Sequence, residues 1–205
     1  MNRIQSYCNI HEQECLVDGE RVLHFDHHSV DSWPLQIYRF LGISYPKFHK
    51  MDQLSQFGFL AATFLARQCD QYKHFSEEEV AMVFANSSSC AVTDQRFLES
   101  YEVLSSPSPS IFVYTLPNIV MGEIAIHNKW YGENMFAILP KFRPDFFINH
   151  SKILQYNGSK AMLGCWLEVS EVRIDVMAFM SDFESEIGVE LNEANLDRLY
   201  HKDNF

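Results

Sequence analysis

The sequence predicts an α/β fold in which a layered sheet is flanked by helices. Three stretches lead to this prediction. Residues 52–68 carry apolar side chains at helical spacing, residues 80–85 form a continuous apolar run, and residues 161–180 hold two further strand-like runs. A short run that is apolar throughout is typical of a strand covered on both faces, as in a parallel sheet. Helices that alternate with strands, followed by two strands together, are typical of an α/β layered domain.

Length and composition favour one folded domain. The chain has 205 residues, of which 47% are hydrophobic and 14% aromatic, which is too apolar for a disordered chain. Domains usually contain about 50–250 residues, so we expect a single domain over 1–205. No apolar run reaches the roughly 18 residues that a membrane helix needs, and the N-terminus has neither a basic leader nor an apolar signal core. We therefore expect a cytoplasmic protein without a membrane span.

Charge and cysteine content exclude several classes of partner and site. The formal net charge is −11, whereas binding to nucleic acid needs a basic surface, so we expect no nucleic-acid partner. The five cysteines are scattered and form no C-x-x-C pair, which argues against a disulfide framework and a zinc knuckle. We expect reduced thiols, no bound metal and no cofactor.

The N-terminal region predicts short strands followed by a long helix. Residues 3–10 and 13–17 alternate loosely between polar and apolar side chains, and residues 22–25 extend this strand-like region. Asp52 stands directly before the helical pattern and is a residue type that caps helix N-termini. We therefore predict a helix over 52–68.

Polar and proline-rich segments separate the later elements. Residues 86–90 form a polar turn, and residues 105–109 contain two prolines that end a helix. The remaining pattern predicts a helix at 94–104, a helix at 118–126, a strand at 134–139, a helix at 145–156, and strands at 161–167 and 174–180. The helix at 118–126 is apolar on nearly every side, which indicates that it is buried or packs against another subunit.

The C-terminal segment is strongly acidic. Residues 181–205 contain seven acidic and two basic residues, a balance of −5 that is nearly half of the net charge of −11. We predict an acidic amphipathic helix over about 181–205. Four apolar residues form its predicted packing side: Ile187, Leu191, Leu196 and Leu199.

Several stretches resemble the β-ketoacyl synthases of the thiolase-like superfamily. The main match joins "PSPSIFVYTLPNIVMGEIAI" at 107–126 to "YGENMFAI" at 131–138. In that family a Pro-Asn-x-x-x-Gly helix precedes a loop, a Gly turn and a strand that ends at the nucleophilic Cys. Further matches are "YPKFHKMDQLSQFGFLAATFLA" at 45–66, "AMVFANSSS" at 81–89 and "AMLGCWLEV" at 161–169. The resemblance covers about 45–180 and implies a thiolase-like half with βαβαβαββ order.

The same resemblance implies that the catalytic apparatus is incomplete. Carrying the motif over places the family's Cys at about Lys141, where neither this residue nor a neighbour is a thiol or hydroxyl nucleophile. The family's His residues belong to a C-terminal half that this sequence does not contain. We therefore expect no catalytic residue, and an accessory or structural subunit, a pseudoenzyme, in fatty-acid or polyketide-type biosynthesis.

The resemblance also implies that the chain assembles with partner subunits. A complete condensing enzyme pairs two such halves, so a lone half is expected to leave apolar faces that another subunit covers. We expect a homo-oligomer, or a hetero-oligomer with a full-length ketosynthase. The resemblance places the helix at 118–126 near the subunit interface. Gly122 lies mid-helix, where glycine costs about 1 kcal/mol unless it permits a close approach, so Asn118 and Gly122 are the predicted interface residues.

Two alternative functions remain open. The first is an acyl-thioester hydrolase or transferase with a nucleophile foreign to the family, namely Cys90, a serine of 87–89 or Lys141, paired with His127 or His150 as base. The second is a non-catalytic module that binds an acyl chain or an acyl carrier protein. Carrier proteins are acidic, so docking needs a local basic patch, for which Lys47, His49 and Lys50 are the candidates.

Each of these side chains also has a structural interpretation, which we favour. Lys141 is expected to be a solvated charge at the end of a strand, Cys165 an inert core thiol and Cys90 part of a structural turn. The cluster His24-Phe25-Asp26-His27-His28 holds metal-capable side chains, but no second ligand group follows at a recognisable spacing. We interpret it as a polar surface turn.

Overall fold

The computed structural model describes residues 2–69, 72 and 74–201. Within them the chain forms eight strands and seven α-helices in a mixed α/β order, which confirms the predicted fold class. The elements are β1 Arg3–Ile10, β2 Glu14–Val17, β3 Glu20–His24, α1 Trp33–Leu41, α2 Gln53–Gln68, β4 Val80–Asn86, α3 Ala91–Glu102, α4 Pro109–Val113, α5 Ile119–Asn128, β5 Asn134–Ile138, α6 Pro144–Tyr156, β6 Ala161–Val169, β7 Ile174–Asp182, β8 Val189–Glu190 and α7 Glu193–His201. No described helix is both long enough and apolar enough to cross a membrane.

All eight strands belong to one mixed sheet. Its order is β3-β2-β1-β7-β6-β4-β5, and β8 pairs with β1 beside this path. Only β6, β4 and β5 run parallel as neighbours. The expectation of a parallel sheet is therefore wrong for the other half, because β6 and β7 are joined by a short turn, which permits only antiparallel pairing.

Each face of the sheet carries its own apolar core. Alternate residues of β4 face opposite sides: Val80, Met82 and Phe84 join the core under α1, α2 and α5, whereas Ala81, Val83 and Ala85 join the core under α6 and α7. Every residue of β4 is buried, as predicted from its unbroken apolar sequence. The sheet is thus the middle layer of three.

The helix α2 is the central element of the first core. Asp52 caps it as predicted, because its side chain accepts a hydrogen bond from the backbone N–H of Ser55 at 2.9 Å. Gly58 lies where α2 crosses α5 and β6. A Cβ at this position would lie 2.7 Å from Val120 and 2.9 Å from Leu167. The absence of a side chain therefore sets how closely α2 packs on its neighbours.

The C-terminal segment differs from the predicted single helix. β7 continues to Asp182, β8 pairs with β1, and α7 begins only at Glu193. Gly188 has φ of 111°, a conformation that breaks a helix and that glycine adopts readily. Ile187 is 80% exposed and does not belong to the packing side, whereas the three predicted leucines of this segment are buried. Residues 202–205 lie outside the described residues.

Helix α7 packs on the sheet beside α6. Leu196 is fully buried, Leu199 is 4% exposed, and both belong to the second core. The sheet is covered on both faces at its central strands β1, β4, β6 and β7 by helices of the chain itself. The expectation that a lone half leaves apolar faces for another subunit therefore does not hold for these strands, whereas Met135 and Ile138 of β5 are exposed.

The pairing of β6 with β7 leads to a stability prediction. Gly164 stands opposite Phe179 in the register, and a Cβ on Gly164 would overlap the Phe179 ring. Phe179 is fully buried and cannot move outward. We expect Gly164→Ala to destabilise the fold by about 1–3 kcal/mol, a typical cost of overpacking, measured by urea unfolding.

The control is the same substitution in a Phe179→Leu background. Removing the ring makes room, so Gly164→Ala should cost clearly less there than in the wild-type background. An equal cost in both backgrounds would show that the ring is not the obstacle.

Candidate functional site

The position that the resemblance assigns to the nucleophile lies in the loop between β5 and α6. The backbone N–H of Leu139 donates to the carbonyl of Asn86 at 2.8 Å, which ties the loop to the end of β4. Lys141 is exposed, as expected for a solvated charge. Its neighbour Phe142 is turned inward and is only 8% exposed. The loop therefore presents an ammonium group to solvent and a phenyl ring to the core.

Three aromatic rings fill the space beneath this loop. Phe142 stacks on Tyr200 of α7 with ring centroids 4.2 Å apart, and it meets the ring of Trp166 of β6 edge to face at 6.1 Å. We call Phe142, Trp166 and Tyr200 the aromatic cluster. All three are at least nine-tenths buried.

Two buried carboxylates lie beside the aromatic cluster. Glu168 of β6 and Asp175 of β7 are direct partners in the register, and they are 6% and 4% exposed. Like charges directly opposite each other destabilise a sheet unless each has its own donors. Asp175 accepts from the Tyr200 hydroxyl at 2.6 Å and from the Arg173 guanidinium at 2.5 Å. Burial, followed by this hydrogen bond to Asp175, raises the pKa of Tyr200, so the phenol remains a donor.

Glu168 is compensated by the turn after β4, which we call the serine turn (residues 86–89). The backbone N–H and the hydroxyl of Ser87 both donate to Oε2 of Glu168, at 2.7 and 2.6 Å. The hydroxyl of Ser88 donates to Oε1. Asn86 closes the turn by accepting from the N–H of Ser89 at 3.0 Å. The serines therefore hold a carboxylate in place.

The electrostatics of Glu168 follow from these contacts. Burial disfavours the charged form, but the hydrogen bonds from Ser87 and Ser88 outweigh it, and the pKa of Glu168 lies below its usual value. The carboxylate is consequently ionised at neutral pH and is a weak base. A low pKa does not suit a group that would activate a serine.

Neither candidate cysteine has the properties of a nucleophile. Cys90 is 4% exposed, and burial, with smaller contributions from Asp52 and Asp94, raises its pKa to about 12. Cys165 is fully buried, and burial raises its pKa well above that of a free thiol. Both thiols therefore stay protonated, whereas the thiolate is the reactive species.

The two candidate bases lie on other elements and have other partners. His127 of α5 packs edge-on against Tyr45 and Phe59, at 5.2 and 4.9 Å. His150 of α6 contacts the carbonyl of Phe146 at 2.9 Å. Among the described residues no hydrogen bond joins either imidazole to Cys90 or to the serine turn. The nucleophile–base pairs considered from the sequence are not formed.

The histidine-rich segment after β3 is a surface turn. Its polar side chains are exposed, and Asp26 accepts a hydrogen bond from the backbone N–H of His28 at 2.9 Å. The residues that the structure describes contain no group of three or more side chains able to hold a metal ion.

The predicted interface residues lie on the outer side of α5. Val120, Met121 and Ile124 are buried, so the helix is not buried on every side as its composition had indicated. Asn118, Gly122 and Ile126, at intervals of four residues, are exposed. Apart from its chain neighbours and the backbone of its own helix, no described atom would lie within 4 Å of a Cβ on Gly122. Among the described residues, therefore, no other element packs closely against Gly122.

The architecture is similar to that of solved ketosynthase structures. The chain matches a ketosynthase in complex with its chain length factor from Xenorhabdus doucetiae with a TM-score of 0.54 and 12% identity, over 78% of this chain and 73% of that one. It matches the type II polyketide synthase acyl-carrier protein in complex with its ketosynthase bound to the hexaketide with a TM-score of 0.62 and 9% identity, over 88% and 62%. The fold is that of the ketosynthases.

A third structure agrees with the ketosynthase fold. The ishigamide ketosynthase/chain length factor matches with a TM-score of 0.54 and 13% identity, over 67% of this chain and 45% of that one. The matched part thus spans from 45% to 73% of these chains. The match to the Xenorhabdus structure covers nearly equal fractions of the two chains, which indicates that they have similar lengths. No protein-family model and no curated protein matches the sequence.

The sequence analysis did not predict the two buried carboxylates beside the aromatic cluster. Glu168 and Asp175 are single acids within otherwise apolar strands, and a buried acid in such a run signals a specific partner. That signal was present. Their partners, Ser87 and Tyr200, lie more than 20 residues away in sequence and become neighbours only in the folded sheet.

We expect Glu168→Gln to reduce stability by about 1–3 kcal/mol at neutral pH, because charge-assisted hydrogen bonds to the serine turn are lost. A folded pKa below the unfolded value of about 4.3 gives stability that is present above that pH and is lost as pH falls through the folded pKa. The difference in melting temperature between wild type and variant should therefore shrink below about pH 4.

The matched control is Glu171→Gln, an exposed position in the turn between β6 and β7. This variant should have the melting temperature of the wild type both at neutral pH and below about pH 4. A Glu168→Gln protein as stable as wild type at pH 7 would contradict the assigned role of the serine turn.

Proposed function

We propose that this protein is a non-catalytic ketosynthase-like subunit that assembles with a full-length ketosynthase in polyketide- or fatty-acid-type biosynthesis. The observation that carries the proposal is the filled site at the start of α6. The nucleophile position is occupied by exposed Lys141 and buried Phe142. An acyl chain could enter there only by displacing the aromatic cluster.

Further support comes from the state of the alternative nucleophiles. The hydroxyls of Ser87 and Ser88 are bound to an ionised carboxylate, and the thiols of Cys90 and Cys165 are held protonated by burial. A hydrolase or transferase needs an activated nucleophile beside a base of suitable pKa. These side chains do not offer that combination, so we do not favour the enzymatic alternative.

A partner subunit is supported by the names of the structural neighbours and by the surface. Two of the matched structures are ketosynthases with a chain length factor. β5 is an edge strand of the sheet, so one side of its backbone is unpaired, and Met135 and Ile138 on it are 43% and 53% exposed. Ile126 on the outer side of α5 is 53% exposed. This surface, defined by β5 and the outer side of α5, is the one we propose for the ketosynthase.

An acyl carrier protein is a second candidate partner. One matched structure contains an acyl-carrier protein in complex with its ketosynthase. In this chain Lys47, His49 and Lys50 are exposed on the 3₁₀ helix Pro46–Lys50, although Lys47 lies 3.9 Å from Glu123. The net charge of −11 opposes a second acidic protein, so we rank this partner below a ketosynthase.

The non-catalytic part of the proposal predicts that the folded protein gains no acyl mass. The test is incubation with acetyl and malonyl thioesters followed by intact-mass spectrometry. The same protein unfolded in urea serves as the positive control, because its five thiols are then exposed and react. An adduct on Cys90, Cys165 or a serine of the serine turn in the folded protein would refute the proposal.

The assembly part predicts graded effects of two substitutions at Gly122 on assembly. Outside its own helix no described atom lies within 4 Å of a Cβ there, so Gly122→Leu should leave the melting temperature of the isolated subunit unchanged or raised. If a partner backbone packs against Gly122, the same side chain should abolish assembly, whereas Gly122→Ala should weaken it less. Light scattering after size exclusion reports the mass of the assembly.

The partner is identified by affinity purification of the tagged chain from its own cells, with mass spectrometry of what co-purifies. Lys152→Leu, at an exposed position of α6, is the matched control and should retain the partner. The proposal fails if no ketosynthase is recovered with the wild-type chain. The assignment of the surface fails if Gly122→Leu retains the ketosynthase.

A further inference from the structure

A small cavity lies on the side of the sheet opposite to α6 and α7. Its volume is about 160 Å³, and it is enclosed by the end of the 3₁₀ helix, the first turns of α3, and α4. Its polar lining consists of Lys50, Asp52, Thr93, Arg96, Ser110 and Tyr114. We call it the Lys50–Arg96 cavity. None of these six residues belongs to the site at the start of α6.

Two cations on the wall of this cavity have no counter-ion. Lys50 and Arg96 are exposed, and neither forms an ion pair within the described residues. Some other cations of the chain are paired, since Arg39 lies 2.5 Å from Asp31 and Lys160 lies 2.9 Å from Glu79. In a chain with a net charge of −11, two unpaired cations on one cavity form a local positive site.

Tyr114 adds a neutral donor to the same wall. The residue is only 9% exposed and borders the cavity. Burial, followed by the negative charges of Glu123 and Asp52, raises the pKa of Tyr114, so the phenol keeps its proton. Ser110, also on the wall, has a second hydroxyl, which shares a hydrogen bond of 3.0 Å with the hydroxyl of Ser108.

Asp52 is the acidic residue on the wall, and both of its carboxylate oxygens already accept hydrogen bonds. Asp52 Oδ1 accepts from the N–H of Ser55 at 2.9 Å, and Oδ2 accepts from the hydroxyl of Thr93 at 2.6 Å. Asp52 therefore lowers the positive potential without offering lone pairs to a cation. The fixed charge on the cavity wall is two positive groups against one negative group.

We infer that the Lys50–Arg96 cavity binds a phosphate monoester. The guanidinium of Arg96 and the ammonium of Lys50 supply charge-assisted donors, and Tyr114 and Ser110 supply neutral donors from another direction. A tetrahedral dianion has acceptor oxygens for all of them, whereas a carboxylate has two oxygens in one plane. The site does not depend on the proposed ketosynthase partner, because it shares no residue with β5 or α5.

The test is an NMR titration of the full chain with inorganic phosphate, methyl phosphate and acetate at constant ionic strength. We expect millimolar binding of both phosphates, with shifts centred on the amides of 50–52, 93–96 and 110–114, and weaker binding of acetate. Arg96→Gln and Lys50→Gln should each weaken phosphate binding about tenfold. Tyr114→Phe should weaken it by a smaller factor.

A substitution with the opposite sign separates this site from general attraction of anions. Asp52→Asn removes the negative charge while retaining a residue type that caps α2, so the fold is preserved and phosphate should bind more tightly. Lys152→Gln, at an exposed position on α6, should leave the affinity unchanged.

Four results would overturn the inference. These are an absence of phosphate binding by the wild type at tens of millimolar, unchanged affinity in both Arg96→Gln and Lys50→Gln, an equal loss in Lys152→Gln, and acetate binding as tight as that of phosphate. None of these results bears on whether a ketosynthase co-purifies with the chain.

Discussion

Two carboxylates that face each other across the β6–β7 pair constrain the structure around them. Glu168 and Asp175 are buried, and a buried carboxyl group is costly unless hydrogen-bond donors surround it. Each carboxylate accepts hydrogen bonds from a different element of the fold. Ser87 and Ser88 reach Glu168 from the end of β4, and Tyr200 reaches Asp175 from α7. The connection from β4 to α3 and the position of α7 therefore both depend on this pair.

The position of α7 in turn determines which side chains fill the space beneath the loop at Lys141. Once its hydroxyl is bound to Asp175, Tyr200 lies against Phe142, and Phe142 lies against Trp166. Stacked and edge-to-face rings of this kind stabilise a core beyond the area that they bury. The same contacts also occupy the space beneath the loop at Lys141. The placement of Tyr200 by its hydrogen bond to Asp175 thus both stabilises the second core and fills the space beneath the loop.

The closure also changes the argument for a partner. A half of a ketosynthase fold was expected to assemble because its sheet would be uncovered, yet α6 and α7 cover the second face. The surface that we propose for a partner is the edge of the sheet at β5 and the outer side of α5, which carry exposed apolar side chains and an unpaired backbone edge. An interface here would be formed by strand pairing and helix contact rather than by completion of a core.

Sequence alone determined the elements whose signal is local. The apolar run of β4 fixed a strand buried on both faces, and Asp52 with the pattern after it fixed α2 to within one residue. The stretches within 45–180 indicated the ketosynthase fold without any long-range information, whereas the nucleophile position at about Lys141 stays a prediction. The short elements α1, α4 and β8 were missed, because helices of nine and five residues and a two-residue strand carry too little periodicity.

Tertiary structure decided the rest. Whether an acidic C-terminal segment would be a solvated helix or the cover of a second core depended on a glycine turn at 188, on the pairing of β8 with β1, and on the contact of Tyr200 with Asp175. Whether the serines after β4 were nucleophiles or donors depended on Glu168, which lies about 80 residues away in the chain. Such contacts join residues that are close only after the strands have been ordered in the sheet. A local pattern cannot encode them, because the same side chain is a surface charge, a base or a buried acceptor according to the neighbour that the fold supplies.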